Sequence, residues 1–136
     1  MEPESTMKQV SPSGKPYDLE ERSFRLTQDV IAFVNTCPKT LPNIEIMRQV
    51  VRSAGSIGAN YIEAQEALSD KDFDMRVKIC RKEAKESRYW LRLVEVRDDG
   101  NEHTRQALVG ETDELLKTFA SILEKRARRN QLRVSS

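Results

Sequence analysis

Hydrophobic residues recur at helical spacing in four stretches of this chain, separated by short polar breaks. In the first, Leu26, Val30, Phe33 and Cys37 form one stripe, which Phe24, Ile31 and Val34 widen. Asp18 is placed to cap its start, Glu20 and Glu21 occupy the first turn, and Pro38 is expected to end it. Residues 39–43 read as a connector. The second stretch predicts a helix from about residue 44 to 68, with Met47, Val50, Val51, Ala54, Ile57, Tyr61 and Leu68 facing inward. Gly55 and Gly58 interrupt it, each at a cost of up to ~1 kcal/mol against Ala in an exposed helix. Their presence predicts another helix packed close over both. Ser69, with Asp72 three residues on, resembles a capping box that opens a third helix at once. So short a break makes helices two and three antiparallel neighbours.

Residues 70–97 read as one uninterrupted helix with three faces. Phe73, Val77, Cys80, Ala84, Ser87, Leu91 and Val94 follow a four-three spacing and make a core seam. Lys71, Lys78, Arg81, Lys82, Lys85, Arg88 and Arg92 fall within an arc of roughly 120° at about 100° per residue. Met75, Ile79, Trp90 and Leu93 form the third face. They either lie at the margin of a wide core or contact a neighbouring subunit. Asp98, Asp99, Gly100 and Asn101 read as a turn. A fourth helix follows over about residues 102–129, its apolar face built from Leu108, Leu115, Leu116, Phe119, Ile122, Leu123 and Ala127. Gly110 is a place for it to bend, and Thr112 a place for it to restart. Four amphipathic helices with short loops predict an all-α, antiparallel up-down-up-down four-helix bundle. The domain plan is a disordered N-terminal tail over 1–17, the bundle over 18–130 and a frayed C-terminus over 131–136.

Composition agrees with that plan. Of 136 residues, 33% are charged and 6% aromatic, with 5 Gly and 5 Pro, a helix-rich balance poor in β signals. The net charge of +1 conceals local asymmetry: residues 71–97 hold nine Lys/Arg against five Asp/Glu, and 125–133 hold five Lys/Arg and no acid. A near-neutral total argues against a dedicated high-affinity nucleic-acid binder, yet local patches still attract phosphate. Cys37 and Cys80 lie on separate apolar stripes and read as core residues. No stretch has the length of a membrane span and no signal peptide is visible, so a cytoplasmic protein is expected, with no membrane role.

Catalytic chemistry finds little to build on. His103 is the single histidine and lies near a turn, so no His-dependent nucleophile set or Glu-x-x-His metal site can be assembled. No Gly-rich phosphate loop follows a strand. The expectation is no enzyme, no metal, no cofactor and no small-molecule substrate. Asn60 and Glu63, one turn apart, and Glu86, mid-way along helix three, either fix helix register or line a site or intersubunit contact. For nucleic acid, the candidate contacts are Lys78, Arg81, Lys82, Lys85, Arg88 and Arg92, with Arg126, Arg128 and Arg129 of the fourth helix extending the patch. The same charges also read as solvated surface, and those of the fourth helix as complements to its dipole. No aromatic-basic interleaving for base stacking stands out, so recognition by charge and shape is expected.

The run from Arg52 through Ser56, Ile57, Ala59, Asn60, Tyr61, Ile62, Glu63 and Ala64, followed by Phe73, Ile79 and Glu86, resembles the S23-type family. These are small bacterial four-helix-bundle proteins associated with intervening sequences in 23S rRNA genes. Their second-helix pattern is similar to Ser-Ile-x-Ala-Asn-Ile-Ala-Glu-Gly. Ser56, Ile57, Ala59, Asn60 and Glu63 match it, whereas Tyr61, Ile62 and Ala64 depart from it. The resemblance covers roughly residues 18–129. It implies a four-helix bundle and a ring-like homo-oligomer, commonly a pentamer, and it brings no catalytic residues. The chain is also similar to the accessory protein of diversity-generating retroelements. That likeness implies RNA or a reverse transcriptase as partner, bound through a positive surface.

Overall fold

The computed structural model describes residues 18–135, so the expected tail over 1–17 lies outside the described residues. Four helices follow one another: α1 (Leu19–Val34), α2 (Leu41–Gln65), α3 (Asp70–Leu93) and α4 (Asp99–Ser135). Each packs on the next, and α1 closes back onto α4. Antiparallel neighbours around one core make the expected four-helix bundle. Among the described residues there is no strand.

Local chemistry sets most helix starts. The Asp18 carboxylate accepts from the Glu20 N–H at 3.0 Å, and the Ser69 hydroxyl accepts from the Asp72 N–H at 3.0 Å. Two starts differ from expectation. Thr40 caps α2, which starts at Leu41, three residues before Ile44, and Pro42 sits in the first turn, where its missing N–H costs nothing. Asp98 does not open a free turn: its carboxylate accepts from the Asn101 N–H at 2.8 Å, so Asp99, Gly100 and Asn101 form the first turn of α4. That bond holds the Asp98 carboxyl below its ordinary range.

Helix ends depend on tertiary partners. α1 stops at Val34, before Pro38, and Lys39 donates to the carbonyls of Val34, Asn35 and Cys37. α3 ends at Leu93 and does not continue to Arg97. Val94 is extended and buried, and Arg105 of α4 donates to the Arg92 and Val94 carbonyls at 3.1 and 2.8 Å. α4 neither restarts at Thr112 nor stops near Arg129. Thr112 is buried inside the helix, its hydroxyl donating back to the Val109 carbonyl at 2.7 Å.

The core seam of α3 is as expected from Val77 to Val94, with Phe73 half-buried at its edge. Where α2 meets α3 the facing residues are small. The Ser53 and Ser87 hydroxyls bond at 2.8 Å beside Ala54 and Ala84, and the Cys80 thiol donates to the Ile57 carbonyl at 3.4 Å. Burial pushes the Cys80 thiol up to about 12, so it stays a neutral donor. Two assignments to the inner face are corrected. Leu68 is 100% exposed, because α2 ends before it, and Phe24 and Ile31 point out of the bundle at the α1–α2 edge. The glycines divide as well. A Cβ on Gly58 would meet the Ser23 Cβ at 3.4 Å, the expected close approach, whereas Gly55 has nothing within 4 Å.

Candidate nucleic-acid interface

The arc of cations on α3 divides by partner. Lys71, Lys78, Arg81, Lys82, Lys85 and Arg92 are exposed, and none makes an ion pair with another of the described residues. Arg88, at the edge of the arc, is half-buried and bonds Asp113 of α4 at 2.5 Å. Asp74, the acid within the arc, is taken up by Arg126. The outward arc therefore keeps its positive charge, while its flank is spent on holding α3 to α4.

The cations of α4 divide likewise. Arg126 is half-buried; its guanidinium lies 4.7 Å from the centroid of the Phe73 ring and pairs with Asp74 and, at 3.3 Å, with Asp70. It works as a clamp between the end of α4 and the start of α3. Arg128 pairs with Glu124 one turn back at 3.6 Å, and Arg129 is exposed. The α4 patch thus offers less free charge than its sequence count implies.

The third face also divides. Met75 and Leu93 are exposed at 51% and 47%, beside the cationic arc. Ile79 is half-buried, and Trp90 is half-buried and packed against the core. Tyr89 is not among the residues that the spacing singles out. It is 55% exposed, with Lys85 four residues before it and Arg92 three after, and its ring meets Trp90 edge-on at 5.0 Å and 76°. The i−4 and i+3 spacing of those cations was the available signal. A second exposed apolar strip lies where α1 meets α2. Phe24, Gly55, Ala59 and Ile62 line a cleft there, with Glu20 and Glu21 at one end.

The polar residues tie α2 to α3 in separate pairs. Asn60 donates to the Ser56 carbonyl and hydroxyl, and its oxygen accepts from Arg76 of α3 at 3.0 Å. Glu86 accepts from Arg52 of α2 at 3.2 Å, and the buried Glu83 lies 3.9 Å from the same guanidinium. Glu63 is exposed and joins neither pair. Among the described residues no cluster of His, Cys, Asp and Glu is placed to hold a metal ion, and His103 is exposed. No helix among them is long and apolar enough to cross a membrane.

The sequence profile of the 23S rRNA-intervening sequence protein family matches residues 15–121, most of the chain. The chain belongs to that family. A crystal structure of a protein with unknown function from the S23 ribosomal protein family of Bacteroides thetaiotaomicron has the same fold, at 27% identity and a TM-score of 0.65. The match covers 78% of this chain and 98% of that one. No curated protein matches this chain. Family membership agrees with the bundle and with the second-helix pattern around Asn60. It assigns no residue a function.

Proposed function

We propose that this member of the 23S rRNA-intervening sequence protein family is a cytoplasmic, non-enzymatic, homo-oligomeric interaction module that binds RNA, alone or within an RNA–protein complex. The observation carrying this reading is the outward arc of α3, where Lys78, Arg81, Lys82, Lys85 and Arg92 make no ion pair with another of the described residues. Like charges at helical spacing repel, and an anion laid along them relieves that cost. A reverse transcriptase is the protein partner that the retroelement likeness implies for such a complex.

Five phosphate contacts predict a salt slope of about −3.5 for a single strand, or a roughly hundred-fold loss of affinity between about 50 and 200 mM salt. The test is anisotropy of a labelled oligoribonucleotide with the Lys78→Glu, Lys82→Glu, Lys85→Glu triple variant. A loss of about ten-fold or more and a shallower slope are expected. Arg88 is left intact, because its bond to Asp113 would confuse folding with binding. Undiminished binding in the variant sinks the assignment to this face. Absence of RNA binding by the wild-type chain would favour the second reading, a scaffold for a protein partner with no nucleic-acid role, which the near-neutral net charge supports.

Self-association rests on two unlike apolar strips: the α1–α2 cleft around Phe24 and Ile62, and the α3 edge around Met75 and Leu93. Contact between unlike surfaces is head-to-tail and closes into a ring when the rotation allows, with a pentamer the count the resemblance favours. The acid at Glu20 and Glu21 complements lysines beside the α3 edge. Gly55→Ala separates the cases. In a monomer there is room for the methyl, and stability should rise by about 0.5–1 kcal/mol. In an assembly seated on Gly55, light scattering should show a shift toward the monomer. A monomer mass for the wild-type chain at micromolar concentration would overturn the proposal.

A further inference from the structure

We infer that Tyr89 is a base-stacking platform, and that the α3 face takes single-stranded RNA in preference to duplex. This rests on the RNA-binding reading and names its substrate class. The side chain is more than half exposed. It stands within the unpaired cations, with Lys82 seven residues and Lys85 four residues before it and Arg92 three after. At 1.5 Å of rise per residue, Lys78 to Arg92 spans about 21 Å, long enough to follow a short stretch of backbone. Trp90, packed on the core, holds the Tyr89 ring perpendicular at 5.0 Å. An anchored aromatic ring loses little entropy when a second ring stacks on it.

The chemistry separates single strands from duplex. In an A-form helix the bases are stacked on one another, and protein contacts fall on phosphates and 2′-hydroxyls. An unpaired base offers a free π-face. Stacking on an aromatic side chain tolerates any base, while neighbouring Lys and Arg hold the phosphates. Tyr89 with Lys82, Lys85 and Arg92 supplies both elements on one helix face.

The test compares a single-stranded oligoribonucleotide of about twelve residues with the duplex of the same sequence, at fixed salt. Tyr89→Ala should weaken single-strand binding roughly five- to hundred-fold and leave duplex binding and the salt slope unchanged. Tyr89→Phe should restore single-strand affinity. Lys82→Glu should weaken both ligands and flatten the slope. Equal losses for strand and duplex in Tyr89→Ala, or no loss at all while Lys82→Glu still weakens binding, would overturn the stacking role and leave the RNA reading intact. Failure of the wild-type chain to bind either ligand would overturn both. Circular dichroism of each variant shows that the bundle is unchanged.

Discussion

Phe119→Ala is expected to lower the unfolding free energy by about 3–5 kcal/mol, read as a fall in the urea midpoint at constant m-value. Phe119 is the largest side chain wholly removed from solvent among the described residues, and its ring centroid lies 6.1 Å from that of Tyr61 across the α2–α4 diagonal. Removing it deletes the transfer energy of a phenyl group and leaves a cavity that four helices can only partly close. A small domain has about 5–15 kcal/mol in all, so the variant would lose a large share of its stability. Phe119→Leu, which keeps most of the volume, should cost much less, about 1–2 kcal/mol. Similar losses for the two variants would mean that the site is not packed as described.

Asn43→Ala is expected to cost about 2–4 kcal/mol although it removes no apolar surface, because it leaves buried backbone groups without partners. Asn43 is 1% exposed. Its amide donates to the Pro38 carbonyl at 2.9 Å and the Glu95 carbonyl at 3.0 Å, and its oxygen accepts from the Glu95 N–H at 2.7 Å. One side chain thus joins the α1–α2 connection to the α3–α4 connection. Arg97 and Asn101 add bonds to the Thr36 carbonyl and hydroxyl at the same end. Asn43→Asp refines the test. A carboxylate has no donor for the two carbonyls and would be held above its usual pKa. An acid whose folded-state pKa is raised gains relative stability as pH falls. The Asp variant should therefore be most destabilised at neutral pH and recover on acidification, while the Ala variant should show no such recovery. Denaturant titrations at two pH values check both.

These two residues mark the limit of what the sequence discloses. Helix number, order and the α3 seam follow from spacing, because a 3.6-residue period is written in the chain itself. The caps at Asp18 and Ser69 are legible for the same reason, being contacts over two or three residues. The end of α3 is not, since Arg105 and Asn43 from other helices decide it. Phe24 and Ile31 were placed inside because they widen a hydrophobic stripe. The neighbours of α1 cover only a narrower arc of it. The candidate site was legible as a row of cations but not as a set of free ones. Asp113 neutralises Arg88 from a position that spacing along α3 does not reveal, and Asp74, within the row, is taken up by Arg126 of α4. Tyr89 shares the angle of the cations, and its exposure depends on where α2 and α4 sit.

The Ser53–Ser87 contact has a consequence for how such a chain can change over time. Helix spacing there is set by side chains so small that nearly every replacement is an enlargement, and an enlarged residue would push α2 and α3 apart along their length. The outward arc of α3 is under no such constraint, because Lys78, Lys82 and Lys85 make no ion pair with another of the described residues. Tolerance is thus concentrated on the surface proposed to meet the partner and nearly absent from the seam behind it. A lineage built on this bundle is free to exchange one ligand for another by surface substitution while the frame stays fixed.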